Sequence, residues 1–289
     1  GLVSGEFEIF SQRINASTGA ELGTNDARIS DMGPNGDLNF DAENPDAVWN
    51  STDNQYLIVW AGDDVTDGES EIYGQRLSNV AAEIGVNDFR ISDVGADGDP
   101  LSDAQHPAVS YTSSGNTYMV VWDADDLTGT TVDGEEEIYS QTIAGTTGVE
   151  TGVNDQRVSF MGVDGDPTFD GRRPDVIYDP TATAIIIVWS GDNNNVLTLA
   201  NDEFEVWGHV DGTPSGGGGP CCVKEGDCNH TNTVNVVDVT FLVARLFQGG
   251  AAPPCAQEAD VDDSGSVNVV DLTKIVSFLF SGGSVGVCP

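Results

Sequence analysis

One short segment returns four times between residues 1 and 212, and a single irregular core cannot be built on such a pattern. Glu8-Ile-Phe-Ser-Gln-Arg-Ile14, Glu71-Ile-Tyr-Gly-Gln-Arg-Leu77, Glu137-Ile-Tyr-Ser-Gln-Thr-Ile143 and Glu205-Val-Trp-Gly-His-Val210 follow one another at spacings of 63, 66 and 68. Other blocks keep step: Gly-x-Asn-Asp-x-Arg-(Ile/Val)-Ser begins at 23, 85 and 152, and apolar runs end in Val-Trp at Trp60, Trp122 and Trp189. A period of this length means a stacked or radial array of supersecondary units. Within one period, residues 107–111, 117–122, 137–143 and 156–160 are rich in Val, Ile, Tyr and Trp and are separated by Gly/Asn/Asp turns, the mark of short strands. The expected fold is mainly β: a propeller-like array of about three four-stranded antiparallel blades, with a two-sheet sandwich array as the alternative, followed by a small α-helical calcium-binding domain.

The strand count leaves a remainder. The Glu-Ile type occurs four times and the other types three times, because the chain starts in mid-blade. Ordinary closed propellers use at least about four blades, and an open sheet edge is a template for another strand. Residues 6–14 are therefore expected to complete the last blade, either closing a ring within the chain or extending a filament in a neighbour. The blades resemble repeats of bacterial secreted proteins that carry Ile-Tyr-x-Gln-Arg and Val-Val-x-Trp, a resemblance that implies a propeller-type fold and no activity. Trp60, Trp122 and Trp189 are expected in the core rather than on a sugar platform.

The C-terminal part of the chain follows a different pattern, which appears twice, 33 positions apart. Asp227, Asn229, Thr231, Thr233, Asn235 and Asp238 in the first copy match Asp260, Asp262, Ser264, Ser266, Asn268 and Asp271 in the second. Each set places side-chain oxygens at loop positions 1, 3, 5, 9 and 12 and a carbonyl at 7, which is how a short loop wraps Ca2+. The second loop is expected to bind more tightly, since it brings three carboxylates and has Gly265 at the sharp turn. An apolar i, i+3, i+4, i+7 stripe follows each loop, so two equivalent helices can pack together. Residues 226–283 thus resemble a type I dockerin, the duplicated loop-helix module of cellulosome assembly, including Gly-Asp-x-Asn and Val-Asn-x-x-Asp in the first half. That resemblance implies docking to a cohesin-like receptor. Where the family often has polar recognition residues, both copies here carry Val-Val (Val236-Val237 and Val269-Val270), either a greasier docking surface or first-turn core. The domains expected are 1–212 for the blades, 213–220 for a Gly-rich linker and 221–289 for the calcium module.

Charge narrows the partners. The net charge is −38, with 48 acids against 10 bases, a field that repels nucleic acid and anionic membrane surfaces. No apolar run is long enough to span a membrane. The chain begins Gly1-Leu2-Val3 without a charged leader, as a mature secreted product does. All five cysteines (Cys221, Cys222, Cys228, Cys255 and Cys288) lie around the calcium module, where cross-links help a small domain most. Cys221 or Cys222 with Cys255 and Cys288 would tie the module shut, and Cys228 with Cys255 is an alternative; an odd count leaves one thiol over. The expected location is extracellular or at the cell surface.

A further acidic pattern recurs in the blades: Asn35, Asp37 and Asp41; Asp97, Asp99 and Asp103; Asp164, Asp166 and Asp170. Each is either a cation site or an exposed Asp-Gly turn. Catalytic signatures are missing. His106, His209 and His230 share no spacing, and His106 is replaced by Asn44 and Arg173 in the sister blades. The expectation is thus a non-enzymatic, secreted, calcium-dependent assembly protein whose partners are other copies of itself or a cohesin-like protein. The alternative is a carbohydrate-binding or hydrolytic propeller anchored by its dockerin.

Overall fold

Each period of the chain makes a strip of sheet that is apolar on both faces, so every blade must be covered by a neighbour on each side. The computed structural model describes residues 3–64, 66–127, 132–162, 164–193, 203–211, 224–229, 231, 233–248, 253, 255–261, 267–283 and 285. It divides into two compact units, Gly1–Gly212 and Thr213–Pro289.

The first unit is mainly β and blade-like. Strands β1 (Phe10–Ile14) and β2 (Glu21–Arg28) pair as a half-blade, and β3 (Ala42–Asn50), β4 (Gln55–Gly62), β5 (Glu71–Ser78) and β6 (Glu83–Arg90) form a four-stranded blade in that order. The next blade is β7 (Ala104–Thr112), β8 (Thr117–Ala124), β9 (Glu137–Ala144) and β10 (Glu150–Arg157), followed by a three-stranded sheet of β11 (Gly171–Asp179), β12 (Ala184–Gly191) and β13 (Glu205–Asp211). All pairings are antiparallel.

Two expectations change. The fourth strand of the middle blade is Glu150–Arg157, not 156–160, because the chain leaves the ladder after Arg157 to serve Glu137: the Ser159 hydroxyl and the Met161 N–H both donate to that carboxylate. The N-terminal segment does not complete the last sheet either. Strand β1 pairs with β2, its own successor, a short hairpin closure that costs far less chain entropy than reaching across two blades.

Three apolar seams join the blades. Ile9, Ile29 and Met32 of the half-blade pack on Ile58, Trp60, Tyr73 and Leu77. Leu57, Val59 and Ile72 pack on Tyr118, Val120, Trp122 and Tyr139, and Val121 and Ile138 on Ile187 and Trp189. All three repeat tryptophans are buried. Polar stitches accompany the seams: the Asp31 and Asp93 N–H groups donate to Asp88 and Asp155 on the next blade at 2.8 and 2.7 Å.

The motif letters have physical jobs. Glu71 and Glu137 are buried, and each accepts a serine hydroxyl (Ser92, Ser159) and an arginine (Arg90, Arg157, at 2.6 and 2.5 Å). The Asp of Asn-Asp sits at φ 47, 44 and 44° in Asp26, Asp88 and Asp155, where β2, β6 and β10 bulge. Its N–H, turned out of the ladder, donates to the motif glutamine (Gln12, Gln75, Gln141) instead.

In the second unit, α1 (Val236–Gln248) and α3 (Val269–Ser281), with the short α2 (Ala256–Ala259), enclose Leu242, Ile275, Ala259, Val261 and Cys228. No helix among the described residues is long and apolar enough to cross a membrane. The linker 213–220 and Cys221, Cys222, His230, Asp262, Ser264, Ser266 and Cys288 lie outside the described residues.

The motif glutamate supplies its own control, since Glu205 is exposed while Glu137 is buried. Glu137→Ala leaves the buried Ser159 hydroxyl and Met161 N–H without their acceptor, while Arg157 keeps Asp164, and is expected to cost about 1–3 kcal/mol, whereas Glu205→Ala stays within about 0.5 kcal/mol. Urea unfolding of the two full-length variants checks the contrast.

Candidate functional site

The acidic loops of the blades do not gather their three oxygens. Asn35, Asp97 and Asp164 accept from Arg28, Arg90 and Arg157 at 2.5, 2.8 and 2.9 Å. Asp37, Asp99 and Asp166 each accept the backbone N–H two residues on, and Asp41, Asp103 and Asp170 accept the N–H groups of Phe7, Ser70 and Glu136 at 2.7, 3.0 and 3.1 Å. The glycine between them is required by the backbone: Gly36, Gly98 and Gly165 lie at φ 93, 89 and 90°, and each N–H is received by Glu6, Glu69 or Glu135. Among the described residues no group of three or more His, Cys, Asp or Glu side chains is arranged to hold a metal ion.

A different set of carboxylates does converge. A cavity of about 160 Å3 is lined by Asp103, Gln105, Asp123, Asp125, Asp133 and Glu136, with Pro100 and Leu101 at its apolar side. Strand β8 carries Asp123, Asp125 stands one residue after it, and Glu136 stands one residue before β9. Asp123 is buried and accepts His106 Nδ1 at 3.0 Å and the Arg173 N–H at 3.0 Å. Arg172 reaches Glu136 at 2.6 Å and Asp170 at 2.9 Å. Asp125 is 7% exposed, takes the Gly134 N–H on Oδ2 and has no partner for Oδ1.

Burial sets the protonation of these groups. Desolvation pushes Glu136 up to about 7, against the opposing charge of Arg172. It pushes Asp125 up to about 6, against the Gly134 N–H. Asp103 is raised for the same reason, and His106 is raised by its hydrogen bond to Asp123.

Asp103 and Asp125 follow the repeat, at the positions of Asp41 and Asp170 and of Asp63 and Asp192, but Asp123, Glu136 and His106 depart from it. Counting from the motif tryptophan, Asp123 stands where the sister blades have Ala61 and Ser190; counting from the motif glutamate, Glu136 stands where they have Ser70 and Phe204. His106 replaces Asn44 and Arg173, and all three positions hold a left-handed backbone at φ 48, 52 and 52°. No sequence motif singles out His106, Asp123, Asp125 or Glu136. The available signal was the break in the repeat, and only the fold shows that the breaks meet.

In the second unit the first loop forms an oxygen cluster. Asp227 and Asp238 are buried, and the Asn229 side-chain amide lies between them, its nitrogen donating to an oxygen of each at 2.9 Å and to the Thr231 hydroxyl at 2.8 Å. The Thr233 hydroxyl is 3.3 Å from that of Thr231, and Asp227 Oδ2 has no partner. Asn235 N–H donates to Asp238 and Asn268 N–H to Asp271, both at 2.8 Å, so the two loop ends are built alike. Asp260 is half-buried. Val236, Val237, Val269 and Val270 are exposed, which removes the first-turn core alternative. Cys228 is a free buried thiol, pushed up to about 12 by desolvation, so it does not bridge to Cys255.

No protein family and no curated protein matches the chain. Solved structures similar to it include the Hadza microbial sialidase Hz136 (10% identity, 67% of this chain and 40% of that one, TM-score 0.43). An N-acetylgalactosamine deacetylase from F. plautii is similar at 12% identity over 61% of this chain and 51% of that one, TM-score 0.41. An endo-arabinase from Bacteroides thetaiotaomicron is similar at 14% identity over 72% and 71%, TM-score 0.37. The chain spans about half the length of the deacetylase and less of the sialidase. These proteins are enzymes by name, and the expectation of a non-enzymatic chain is corrected accordingly. At TM-scores below 0.5 they transfer no residue role, substrate or activity.

The raised carboxyls have a common consequence. Glu71, Glu136 and Glu137 sit at about 7, and Asp88, Asp125 and Asp155 at about 6, all chiefly through desolvation. The folded state therefore holds protons that the unfolded chain has released, so their contribution is fully present below about pH 4 and is lost as pH rises through 6–7. The thermal midpoint of the full-length protein, measured in chelator, is expected to be lower at pH 8 than at pH 5; an equal or higher midpoint at pH 8 would refute this.

Proposed function

We infer that the blade unit acts on carbohydrate at the cavity bounded by Asp103, Asp123, Asp125 and Glu136, and that the C-terminal unit is a calcium-loaded, dockerin-like module that carries it to a cohesin-like receptor outside the cell. The observation that supports the first part is that the repeat-breaking side chains Asp123 and Glu136 line one cavity, with the third, His106, hydrogen-bonded to Asp123 behind it. A structural repeat has no packing reason to vary three positions at one point. Paired carboxylates in different environments are the apparatus of acid–base glycoside cleavage. Glu136, protonated up to about pH 7, donates to the departing glycosidic oxygen, and Asp125, ionised above about 6 with its Oδ1 unpartnered, draws the proton from water. Arg172 holds Glu136 in place. The strongly negative chain favours neutral or cationic glycans over anionic ones.

The fit of the first loop to calcium rests on its donors. Two buried carboxylates, the Asn229 amide and a hydroxyl crowd together with one carboxylate oxygen left over, a set that suits a hard cation at 2.3–2.6 Å from oxygen once the amide turns its oxygen inward. Asp227, Asn229, Thr231, Asp238 and the Thr233 carbonyl would hold it. Calcium supplies charge neutralisation and a fixed loop there, and the matching Asp260 and Asp271 would do the same in the second loop.

Two measurements check this reading. Release of reducing sugar from a panel of neutral glycans is expected from the full-length protein with an optimum between about 6 and 7, and Glu136→Gln or Asp125→Asn lowers it by roughly 10²–10⁴-fold. No turnover on any glycan, or full activity in both variants, contradicts the catalytic assignment. Calorimetry of the full-length protein is expected to register calcium binding that Asp260→Ala weakens more than Asp227→Ala, because the second loop has the larger carboxylate set. Absence of binding heat removes the calcium module.

A further inference from the structure

The sister repeats show what the corner around Asp103 and Asp125 lacks. Asp170 of the last sheet, the counterpart of Asp103, is met at 2.9 Å by Arg172, two residues on. In the middle blade that arginine position is Gln105. Asp103 accepts the Ser70 N–H at 3.0 Å, and among the described residues no cationic side chain pairs with it. Asp63 of the first blade, the counterpart of Asp125, is closed on both oxygens, by the Asp41 and Gly68 N–H groups at 2.7 and 3.1 Å. Asp125 receives only the Gly134 N–H on Oδ2, and its Oδ1 is left without a partner although the residue is 7% exposed and lines the cavity. The Asp125 N–H donates to the Asp103 carbonyl at 3.0 Å, so the two residues share one corner.

The cavity is therefore short of positive charge. Five carboxylates line it and, among the described residues, no Lys, Arg or His does. His106 meets Asp123 and Arg172 meets Glu136, which leaves Asp103, Asp125 and Asp133 without an ion-pair partner among the described residues. Like charges held together in a partly buried site repel, and an opposite charge placed among them relieves each one. We propose that the carbohydrate taken by this cavity carries a free amine, and that Asp103 and Asp125 receive its ammonium group in the place that Arg172 fills beside Asp170. The ligand class is a hexosamine with its nitrogen unacylated. An ammonium offers three N–H donors, and a carboxylate oxygen accepts more than one hydrogen bond, so Asp125 Oδ1 can hold the ammonium and a water together. An N-acetylated sugar brings no charge to the corner. On the other side Leu101 stands where the sister repeats have Asn39 and Thr168, an apolar wall beside Pro100 that suits the C–H face of a sugar ring. This inference rests on the reading of the blade unit as carbohydrate-active and names the sugar class.

Calorimetry of the full-length protein at about pH 6, in salt high enough to screen the −38 charge, tests it with three probes: glucosamine trisaccharide, its fully N-acetylated form, and spermidine as an amine of like charge without a sugar. The glucosamine trisaccharide is expected to bind roughly tenfold or more tightly than either of the others. Gln105→Arg, at an exposed position, supplies the arginine of the last sheet and should erase that preference with the thermal midpoint unchanged. Asp103→Asn keeps an oxygen for the Ser70 N–H and should weaken the trisaccharide by roughly tenfold, whereas Glu205→Gln, an exposed acid elsewhere, should leave it as in the wild type. No binding heat from any probe overturns the proposal, as does equal binding of the acetylated trisaccharide or of spermidine. A preference that survives Gln105→Arg overturns it too, and so does a loss in Glu205→Gln as large as in Asp103→Asn, which would make the attraction a property of the whole chain. Turnover is scored separately on the same sugars and on neutral glycans. Cleavage without any gain for the free amine sinks this inference and leaves the carbohydrate reading standing; amine-selective binding without turnover upholds the site and removes the catalytic assignment.

Discussion

Everything in the blade unit depends on burying both faces of a thin sheet. A four-stranded blade is apolar on each side, and neither half of a seam can shield itself, so stability comes from the contact between one repeat and the next. Trp60, Trp122 and Trp189 lie at the same depth in three consecutive seams, and the large residues around them alternate in direction along each strand. The polar part of the repeat serves the same end. A glutamate buried at the start of the third strand type is tolerable only because Ser, Arg and a backbone N–H meet it, as Ser159, Arg157 and Met161 meet Glu137. That network fastens the loop that carries the next blade.

Chemistry enters where this pattern is broken. The first blade and the last sheet place Ala61, Ser190, Ser70 and Phe204 at plain packing and turn positions, while the middle blade puts Asp123 and Glu136 there. The pair lies between an arginine-bearing strand, β11, and the end of β8, so burial and a neighbouring positive charge act on it in opposite senses. The carboxyl of Glu136 is left titrating near neutrality, which a solvent-facing glutamate does not do.

The repeat, the strand types and the two-part division into blades and helices were legible because each rests on local spacing. Glu71, Gln75 and Asp88 could be named as a motif from their recurrence, although not their roles, since a bulge at Asp88 and the turning of its N–H toward Gln75 are consequences of pairing. The fourth strand was placed too late in the chain because Val158 and its neighbours are as apolar as a strand; the pull of Glu137 on Ser159 and Met161 overrides that propensity. The acidic loops misled for a related reason. Asp97 and Asp164 look like free ligands in one dimension, and only the fold brings Arg90 and Arg157 to them. The cavity was invisible for the opposite reason: its members fall between Pro100 and Glu136 with no motif spacing, and Asp123 and Glu136 are exceptions to the repeat rather than part of it.

The central claim is that each blade is held by its neighbours, so that protection should fall from the middle of the array to its ends. Amide hydrogen exchange of the full-length protein at low concentration tests it directly. Strands β8 and β9, covered on both faces, should exchange most slowly, β4 and β5 next, and β1 and β13 fastest. Equal protection of all the strands from β1 to β13 at low concentration, or end strands slower than the middle blade, would contradict the account.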